Sequence, residues 1–456
     1  MSQSRLTPRV NDPGPDGPGL DTLGPGGPGL DGRASKEAPT GWVWLAAWPI
    51  TAVFVLSNVA TPLYVLWQRD IGFSKGTLTV VFAFYIVGLL GSLLVSGVLS
   101  DRVGRKPVLL PALGLALAAC AVFGTAGSVA ALIVARLFTG VAVGAAVSAG
   151  MAAVTDVAGP HRRPLAALLA SCAMVLGAGL GPFLAGVLSE VFPAPTVLVF
   201  VVEAVLLATA VLVVLRMPLP RRDRASEAGA VGGSADGSGD GSAGGSAGGA
   251  ARPAGGAWLR VPRVPREGRT PLVLGISVFA PGITATSFVL SLGPSLLAGL
   301  LHTDSRVLAG SMAFAMFLTA AGVQFAVRRL DRRRVLVAGV AAATAAMAAL
   351  VTAVHTSSVP VLVAAAILAG AGQGLGQLGG LSLLNSSVAP ARLAEANAAL
   401  NVGGYLPAGA LPVAAGYLSD AAGLTTGATA FGVVLTALAV AGGLVVVTTG
   451  RAERSA

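Results

Sequence analysis

Gly97-Val-Leu-Ser-Asp101-Arg102-Val-Gly104-Arg105-Lys106-Pro107 stands between two apolar runs, 77–99 and 108–129. A connection this short leaves room only for a hairpin between two membrane helices. One carboxylate and three cations share the turn with a helix-ending glycine and a proline. Gly97 is expected to let a neighbouring helix approach closely, and Gly104 to permit φ > 0 where the chain reverses. Asp101 can accept from Arg102 or Arg105, or face the positive N-terminal end of another helix. A loop on the inner face of a membrane needs only the cations. The aspartate and the two glycines at fixed offsets ask for a further explanation.

Composition points the same way. Of 456 residues, 54% are hydrophobic and only 11% are charged, too few for the surface of a soluble domain of this size. A net charge of +10 would suggest a nucleic-acid partner in a soluble protein. Here the cations cluster beside apolar runs, so a lipid bilayer is expected and nucleic acid is not. Cys120 and Cys172 lie inside apolar runs and support neither a disulfide nor a zinc site. His161, His302 and His355 fall on loops or ends and read as solvated. No metal or cofactor is expected. The phosphate-binding pattern G-x-x-x-x-G-K-[ST] does not occur, which excludes ATP-driven transport. Without a His/Asp/Glu cluster in the apolar runs, an enzyme is not expected either.

About 20 apolar residues cross the hydrocarbon of a bilayer, and twelve runs qualify: 42–66, 77–99, 107–126, 128–152, 165–188, 195–216, 271–299, 307–327, 335–355, 359–386, 397–418 and 427–449. The seventh carries Pro281 and Pro294 and is expected to kink or tilt. Residues 1–40 form a Pro- and Gly-rich polar tail, read as disordered and without the apolar core of a secretory signal. Residues 41–217 make a first six-helix bundle, 218–270 a flexible Gly/Ser-rich linker, 271–450 a second bundle and 451–456 a short tail. With the N-terminus inside, 26 of the 30 Lys and Arg fall on inner segments and only Arg69, Lys75 and Arg306 outside, with Arg136 within a span. That bias places both termini in the cytoplasm.

The two halves are copies. A shift of 230 residues lays Gly179-Leu-Gly-Pro182-Phe-Leu-Ala-Gly186-Val-Leu-Ser-Glu190 over Gly409-Ala-Leu-Pro412-Val-Ala-Ala-Gly416-Tyr-Leu-Ser-Asp420. It also pairs Gly140 with Gly370, Gly144 with Gly374, Asp101 with Asp331 and Arg102 with Arg332. At Val327 and Arg334 the second copy has lost the glycines of the opening stretch. A duplicated six-helix unit suits a transporter whose site lies between repeats.

The pattern G-x-x-x-D-R-x-G-R-K at Gly97–Lys106 resembles the loop 2–3 signature of the major facilitator superfamily. The resemblance implies an all-α membrane protein of twelve transmembrane helices in two pseudo-symmetric six-helix bundles that rock around a central site. It also implies a gating role for Gly97, Asp101, Arg102, Gly104, Arg105 and Lys106. Arg136-Leu-Phe-Thr139-Gly140-Val-Ala-Val-Gly144 resembles the family's fourth-helix pattern, whose arginine is implicated in proton coupling, although Thr139 and Ala142 depart from it. Gly177-Ala-Gly179-Leu-Gly181-Pro182-Phe-Leu-Ala185-Gly186 resembles the fifth-helix signature associated with antiporters, with Ala185 in place of one glycine. Glycines at this spacing give a smooth face for close helix contact, and Pro182 bends the helix nearby.

Arg136 breaks the repeat inside the fourth span, its counterpart in the tenth being Ala366. From Ser128 it lies about 12 Å deep, where an arginine costs at least ~2.5 kcal/mol on the insertion scale. It is read as a coupling or substrate group, or else as a structural arginine bonded to backbone carbonyls. Glu203, at similar depth, is the only carboxylate within a span; it is either the titrating group or a protonated structural residue. Asn58, Thr61, Tyr64, Thr284, Thr286, Gln373, Gln377, Asn401 and Tyr405 are polar groups at membrane depth that can line a cavity, Gln373 and Gln377 sharing one helical face. Such a cavity, mostly apolar with one fixed cation, suits an amphipathic or weakly anionic small molecule better than a sugar. The expectation is a monomeric, proton-driven exporter of small amphipathic compounds in the cell membrane. The alternatives are a proton symporter for a polar metabolite and, from another class, a non-transporting membrane sensor.

Overall fold

The computed structural model describes residues 39–219, 266–299, 302, 305–327, 329–389 and 392–455. The expected N-terminal tail up to residue 38 and the linker over 220–265 lie outside the described residues. Twelve helices follow in order. The first half holds α1 (Thr40–Ile71), α2 (Lys75–Val103), α3 (Lys106–Gly124), α4 (Val129–Ala158), α5 (Pro160–Val191) and α6 (Pro195–Arg216). The second holds α7 (Arg266–Gly299), α8 (Arg306–Ala326), α9 (Arg332–Thr356), α10 (Val359–Ser387), α11 (Leu393–Ala422) and α12 (Leu424–Ser455). Eleven are long and apolar enough to cross a bilayer; α11, which carries Glu395, Asn397, Asn401 and Asp420, is the exception. Described residues contain no strand.

Local chemistry sets the ends. Ser74, Ser128 and Ser305 cap α2, α4 and α8, each hydroxyl accepting from the amide three residues on at 3.2, 3.3 and 3.2 Å. Despite Pro271, Pro281 and Pro294, α7 is one continuous helix. Helix α2 runs on to Val103, because nothing breaks it before Gly104 at φ 98°. The expected turn therefore shrinks to Gly104 and Arg105, and Asp101 and Arg102 sit on the last helical turn instead of in a loop.

The duplication reappears as packing. In the first half α1 lies on α5, α2 on α4, and α3 on α4 and α6; in the second α7 lies on α11, α8 on α10, and α9 on α10 and α12. The halves meet where α5 packs on α8 and, in the equivalent place, α2 packs on α11. Close approach is built at matching glycines. A methyl on Gly140 would stand 2.1 Å from the Tyr85 carbonyl oxygen, and one on Gly370 2.1 Å from that of Met316. Gly144 and Gly374 abut the carbonyls of Leu89 and Ala320 in the same way. Helix α6 shows the outer boundary of the bundle: Val201 and Val205 are 53% and 58% exposed on one side, while Glu203 between them is 1% exposed on the other. An apolar face of that kind is what lipid would cover.

Candidate functional site

The centre of the first half is built on a break in α1. Pro62 has no N–H to donate, and the chain tightens into a 3-10 turn over Thr61–Leu63 between the α-helical segments Thr40–Val59 and Tyr64–Ile71. Gly140 and Gly144 press α4 against α2, and Arg136, one turn before Gly140, enters this break. It is wholly buried. Its Nε donates to the Tyr64 hydroxyl and its Nη1 to the Ser57 carbonyl at 2.7 Å. The rings of Tyr64, Phe82 and Phe123 surround the guanidinium with centroids 5.1, 5.5 and 5.8 Å away. Asn58 joins the network through the Ser57 hydroxyl at 2.9 Å. Two charge-assisted bonds, each worth about 1.5–3 kcal/mol, offset the cost of placing the cation there. Nη2 has no hydrogen-bond partner among the described residues. One donor is thus left for something else.

Glu203 does not pair with Arg136. It lies near the Leu56 backbone of α1 and Cys120 of α3, and neither carboxyl oxygen has a hydrogen-bond partner among the described residues. Three rings form a mutually packed cluster: Phe123 on Phe200 at 4.9 Å, with Trp67 5.7 Å from Phe123 and 6.1 Å from Phe200. Arg136 meets this cluster at Phe123, and Phe200 is one turn from Glu203 on α6.

At the inner end, Arg105 Nη1 donates to Asp101 at 2.7 Å and to the Ser100 hydroxyl at 2.9 Å, while its Nε reaches Asp156 on α4 at 2.9 Å. Although burial opposes its charge, these bonds to Asp156 and Asp101 hold the Arg105 guanidinium above its usual pKa. Lys106 donates to the Leu215 carbonyl at 2.8 Å, tying α3 to α6. The repeat differs: Arg332, the equivalent of Arg102, donates to the hydroxyl of Ser386, the equivalent of Asp156, at 2.6 Å, Asp331 pairs with Arg334 at 2.9 Å, and Val335 stands in the place of Arg105. Gly97 departs from expectation. A methyl there would meet only the Ser148 Cβ, at 4.0 Å, so no close helix contact depends on it.

The fifth helix also differs from a single smooth face. Gly177 and Gly181 back onto the carbonyls of Thr51 and Val55 in α1, whereas Gly186 and the Pro182 carbonyl abut Arg306 and Gly310 of α8. Its small residues serve two interfaces, one within the half and one between halves. Of the other polar groups, Thr61, Thr284 and Thr286 are at most 1% exposed and Asn58 is buried, so in this conformation they face protein and not an open lumen. Gln373, Gln377, Asn401 and Tyr405 are half-buried on α10 and α11, and Gln373 Oε1 has no partner among the described residues. A crevice of about 530 Å³ between α9 and α10, beside Arg332, Ser382 and Asn385, touches none of the central residues.

Sequence reasoning missed Phe82, Tyr85 and Phe279. Phe82 and Ile86 of α2 pack into the apolar core of the second half. Half-buried Tyr85 lies in electrostatic range of both Tyr405 across the interface and Arg136, and Tyr405 meets Phe279 edge-on at 6.3 Å. A signal was present: aromatics are only 5% of the chain, and all four of its tyrosines lie inside apolar runs.

Solved structures share this architecture. A bacterial homologue of the human lysosomal transporter Spinster superposes with TM-score 0.66 in an inward-facing, unoccupied conformation, covering 90% of this chain and 97% of that one at 15% identity. Its inward-facing, occupied form gives 0.67. In sequence, a 104-residue segment is 38% identical to the 3-(3-hydroxyphenyl)propionate transporter of Escherichia coli, covering 22% of this chain and 25% of the relative. A 122-residue segment is 34% identical to the efflux pump FUB11 of Gibberella moniliformis, covering 27% and 21%. These matches span a quarter or less of the relatives' length. Residues 43–328, most of the chain, match the Major Facilitator Superfamily as a whole. With twelve helices in two equivalent sets of six, the chain belongs to that superfamily, whose members are transporters and not enzymes.

Proposed function

We propose that the protein is a secondary transporter of the cell membrane that exports a small, amphipathic, weakly anionic molecule in exchange for protons. The observation that carries this reading is Arg136: a buried cation ringed by aromatic faces, with one amine unpartnered. An unmade bond on a buried charged donor costs about 1–3 kcal/mol or more, and an anionic guest would recover it while its apolar part lay against the rings. Phe82, Tyr85, Phe279 and Tyr405 would supply aromatic surface from both halves. An aromatic acid fits this description, and the segment shared with a transporter named for such an acid supports it. The segment shared with an efflux pump and the fifth-helix glycines support export.

Proton coupling falls to Glu203, a buried carboxyl with no hydrogen-bond partner among the described residues, one turn from Phe200. Orientation is inferred from charge: the helix order sets Arg102, Arg105, Lys106, Arg162, Arg163, Arg216, Arg329, Arg332, Arg333 and Arg334 on the face that holds the start of α1 and the end of α12, and cation-rich faces lie toward the cytoplasm. The test is uptake into proteoliposomes under an imposed pH gradient, offering aromatic acids, lipophilic cations and sugars in parallel. Gradient-driven movement of an aromatic acid, lost in Arg136→Ala, is expected. Movement of sugars alone, or equal transport by Arg136→Ala, would overturn the reading.

A further inference from the structure

The repeat that aligned Glu190 with Asp420 gave neither of them a role. Both stand at the ends of helices that pack against the other half, on the face opposite the start of α1 and the end of α12. The Asp420 carboxylate, on the last turn of α11, accepts from the Lys75 amide at 2.9 Å and the Gly76 amide at 2.8 Å, the first residues of α2. The Glu190 carboxylate, on the last turn of α5, accepts from the Val307 amide at 2.9 Å, the second residue of α8, and from the Ser305 hydroxyl at 3.3 and 3.4 Å. Under the shift of 230, Val307 is the equivalent of Thr77, one residue beyond Gly76. The longer glutamate reaches one residue further along the helix than the aspartate does.

These two contacts are one device used twice. In each, a carboxylate of the fifth helix of one half satisfies the free amides, and the dipole, at the start of the second helix of the other half. Small residues bring the backbones close enough for it. A methyl on Gly186 would stand 2.4 Å from the Arg306 carbonyl oxygen, and one on Gly416 3.0 Å from the Gly76 Cα. Arg306 Nη2 adds a bond to the Ser189 carbonyl at 2.6 Å. Both carboxylates are exposed, so water can replace the amides when they part. A contact of that kind holds a surface closed without locking it.

We propose that Glu190 and Asp420 are gating residues, a pseudo-symmetric pair of latches that hold the outer face of the transporter shut and must both release before that face can open. The inference rests on alternating access between the halves. Each latch has the strength of a helix N-cap, so losing one should raise the ratio of open to closed outer face by roughly two- to thirtyfold. Asp420, with two amide bonds, should contribute more than Glu190.

The test places spin labels across the outer face, at Asp70→Cys with Ala421→Cys and at Val191→Cys with His302→Cys. Native cysteines are replaced by Cys120→Ala and Cys172→Ala, and the full chain sits in lipid nanodiscs. Asp420→Ala and Glu190→Ala should each populate a longer distance at both label pairs, and the double variant should do so most. Asp420→Asn and Glu190→Gln repeat the measurement in case the alanine forms do not fold, as judged by gel filtration. Unchanged distances in the folded variants, with a wild type that shows two outer distances across pH, would overturn the latches and leave the transport cycle standing. One fixed distance in every form, with no substrate counterflow, would instead remove alternating access itself.

Discussion

Replacing Arg136 separates what the residue does for the fold from what it does for transport. Arg136→Ala deletes the bonds to Tyr64 and the Ser57 carbonyl, about 3–6 kcal/mol for two charge-assisted bonds. It also removes the burial of a guanidinium, worth at least about 2.5 kcal/mol on the insertion scale. The net loss, roughly 1–4 kcal/mol, lies below the 5–15 kcal/mol typical of folded domains. The variant should therefore insert and give a monodisperse peak, with thermal unfolding in detergent only modestly earlier. Transport should fall by about a hundredfold or more, since the lost charge–ligand bonds have no substitute. Arg136→Lys keeps a charge but cannot serve both acceptors, because a point cation lacks the guanidinium fork; it should fold and remain well below wild type. Tyr64→Phe, which removes only the Nε acceptor, should fall between. Counterflow of a labelled aromatic acid in proteoliposomes reads the series. Wild-type counterflow by a well-folded Arg136→Ala would refute the assignment, and an unfolded Arg136→Ala would refute the energy balance.

Three other outcomes follow from the geometry. Glu203→Gln should abolish pH-gradient-driven transport yet preserve exchange at equal pH, because exchange needs no net protonation; gradient-driven transport at the wild-type rate would remove Glu203 from coupling. Gly181→Ala, whose methyl would stand 2.1 Å from the Val55 carbonyl oxygen, should cost about 1–3 kcal/mol by overpacking, while Gly97→Ala should be neutral; thermal unfolding of the pair reverses this ranking if the packing argument is wrong. Asp101→Asn breaks a pair whose aspartate is 66% exposed, so stability should change by less than about 1 kcal/mol while transport drops; full transport would leave the Asp101–Arg105 pair without a gating role.

The fold was legible because length and apolarity mark eleven of the twelve helices as crossings, and because the repeat, written in glycines, supplies the twelfth. The glycines did not say which neighbour each one admits. Gly97 sits in the most recognisable motif and has space around it, whereas Gly181 has none. Arg136 was legible as a lone cation in an apolar run. Which carbonyl accepts from it was not, because the Ser57 backbone oxygen, two turns before Tyr64, has no side-chain signature. The Asp101–Arg105 pair follows from four-residue spacing, but Asp156 reaches Arg105 across 51 residues and only packing reveals it. Glu190 and Asp420 looked like ordinary charges at the ends of spans until the two halves were brought together.

Symmetry and its breaking divide the molecule by task. Where the halves meet the copies agree: Gly186 with Gly416, and the two carboxylate caps. A motion that exchanges inner and outer access needs the same contacts made twice, and duplication supplies them. At the centre the copies disagree. Arg136 and its counterpart Ala366 are both wholly buried, on α4 and α10, each next to a glycine that presses its helix on a neighbour. The second half packs that place with a methyl group. Burying a guanidinium there is therefore not a requirement of the six-helix unit: the bonds to Tyr64 and the Ser57 carbonyl offset a cost of at least ~2.5 kcal/mol, whereas a methyl group fills the same place without incurring it. The inner face breaks symmetry less sharply, with Asp156 charged where Ser386 is neutral. A gate can tolerate two unequal halves so long as both bonds can part. On the proposed function, a binding site for one small anion needs its cation only once, which an arginine in one half alone would supply.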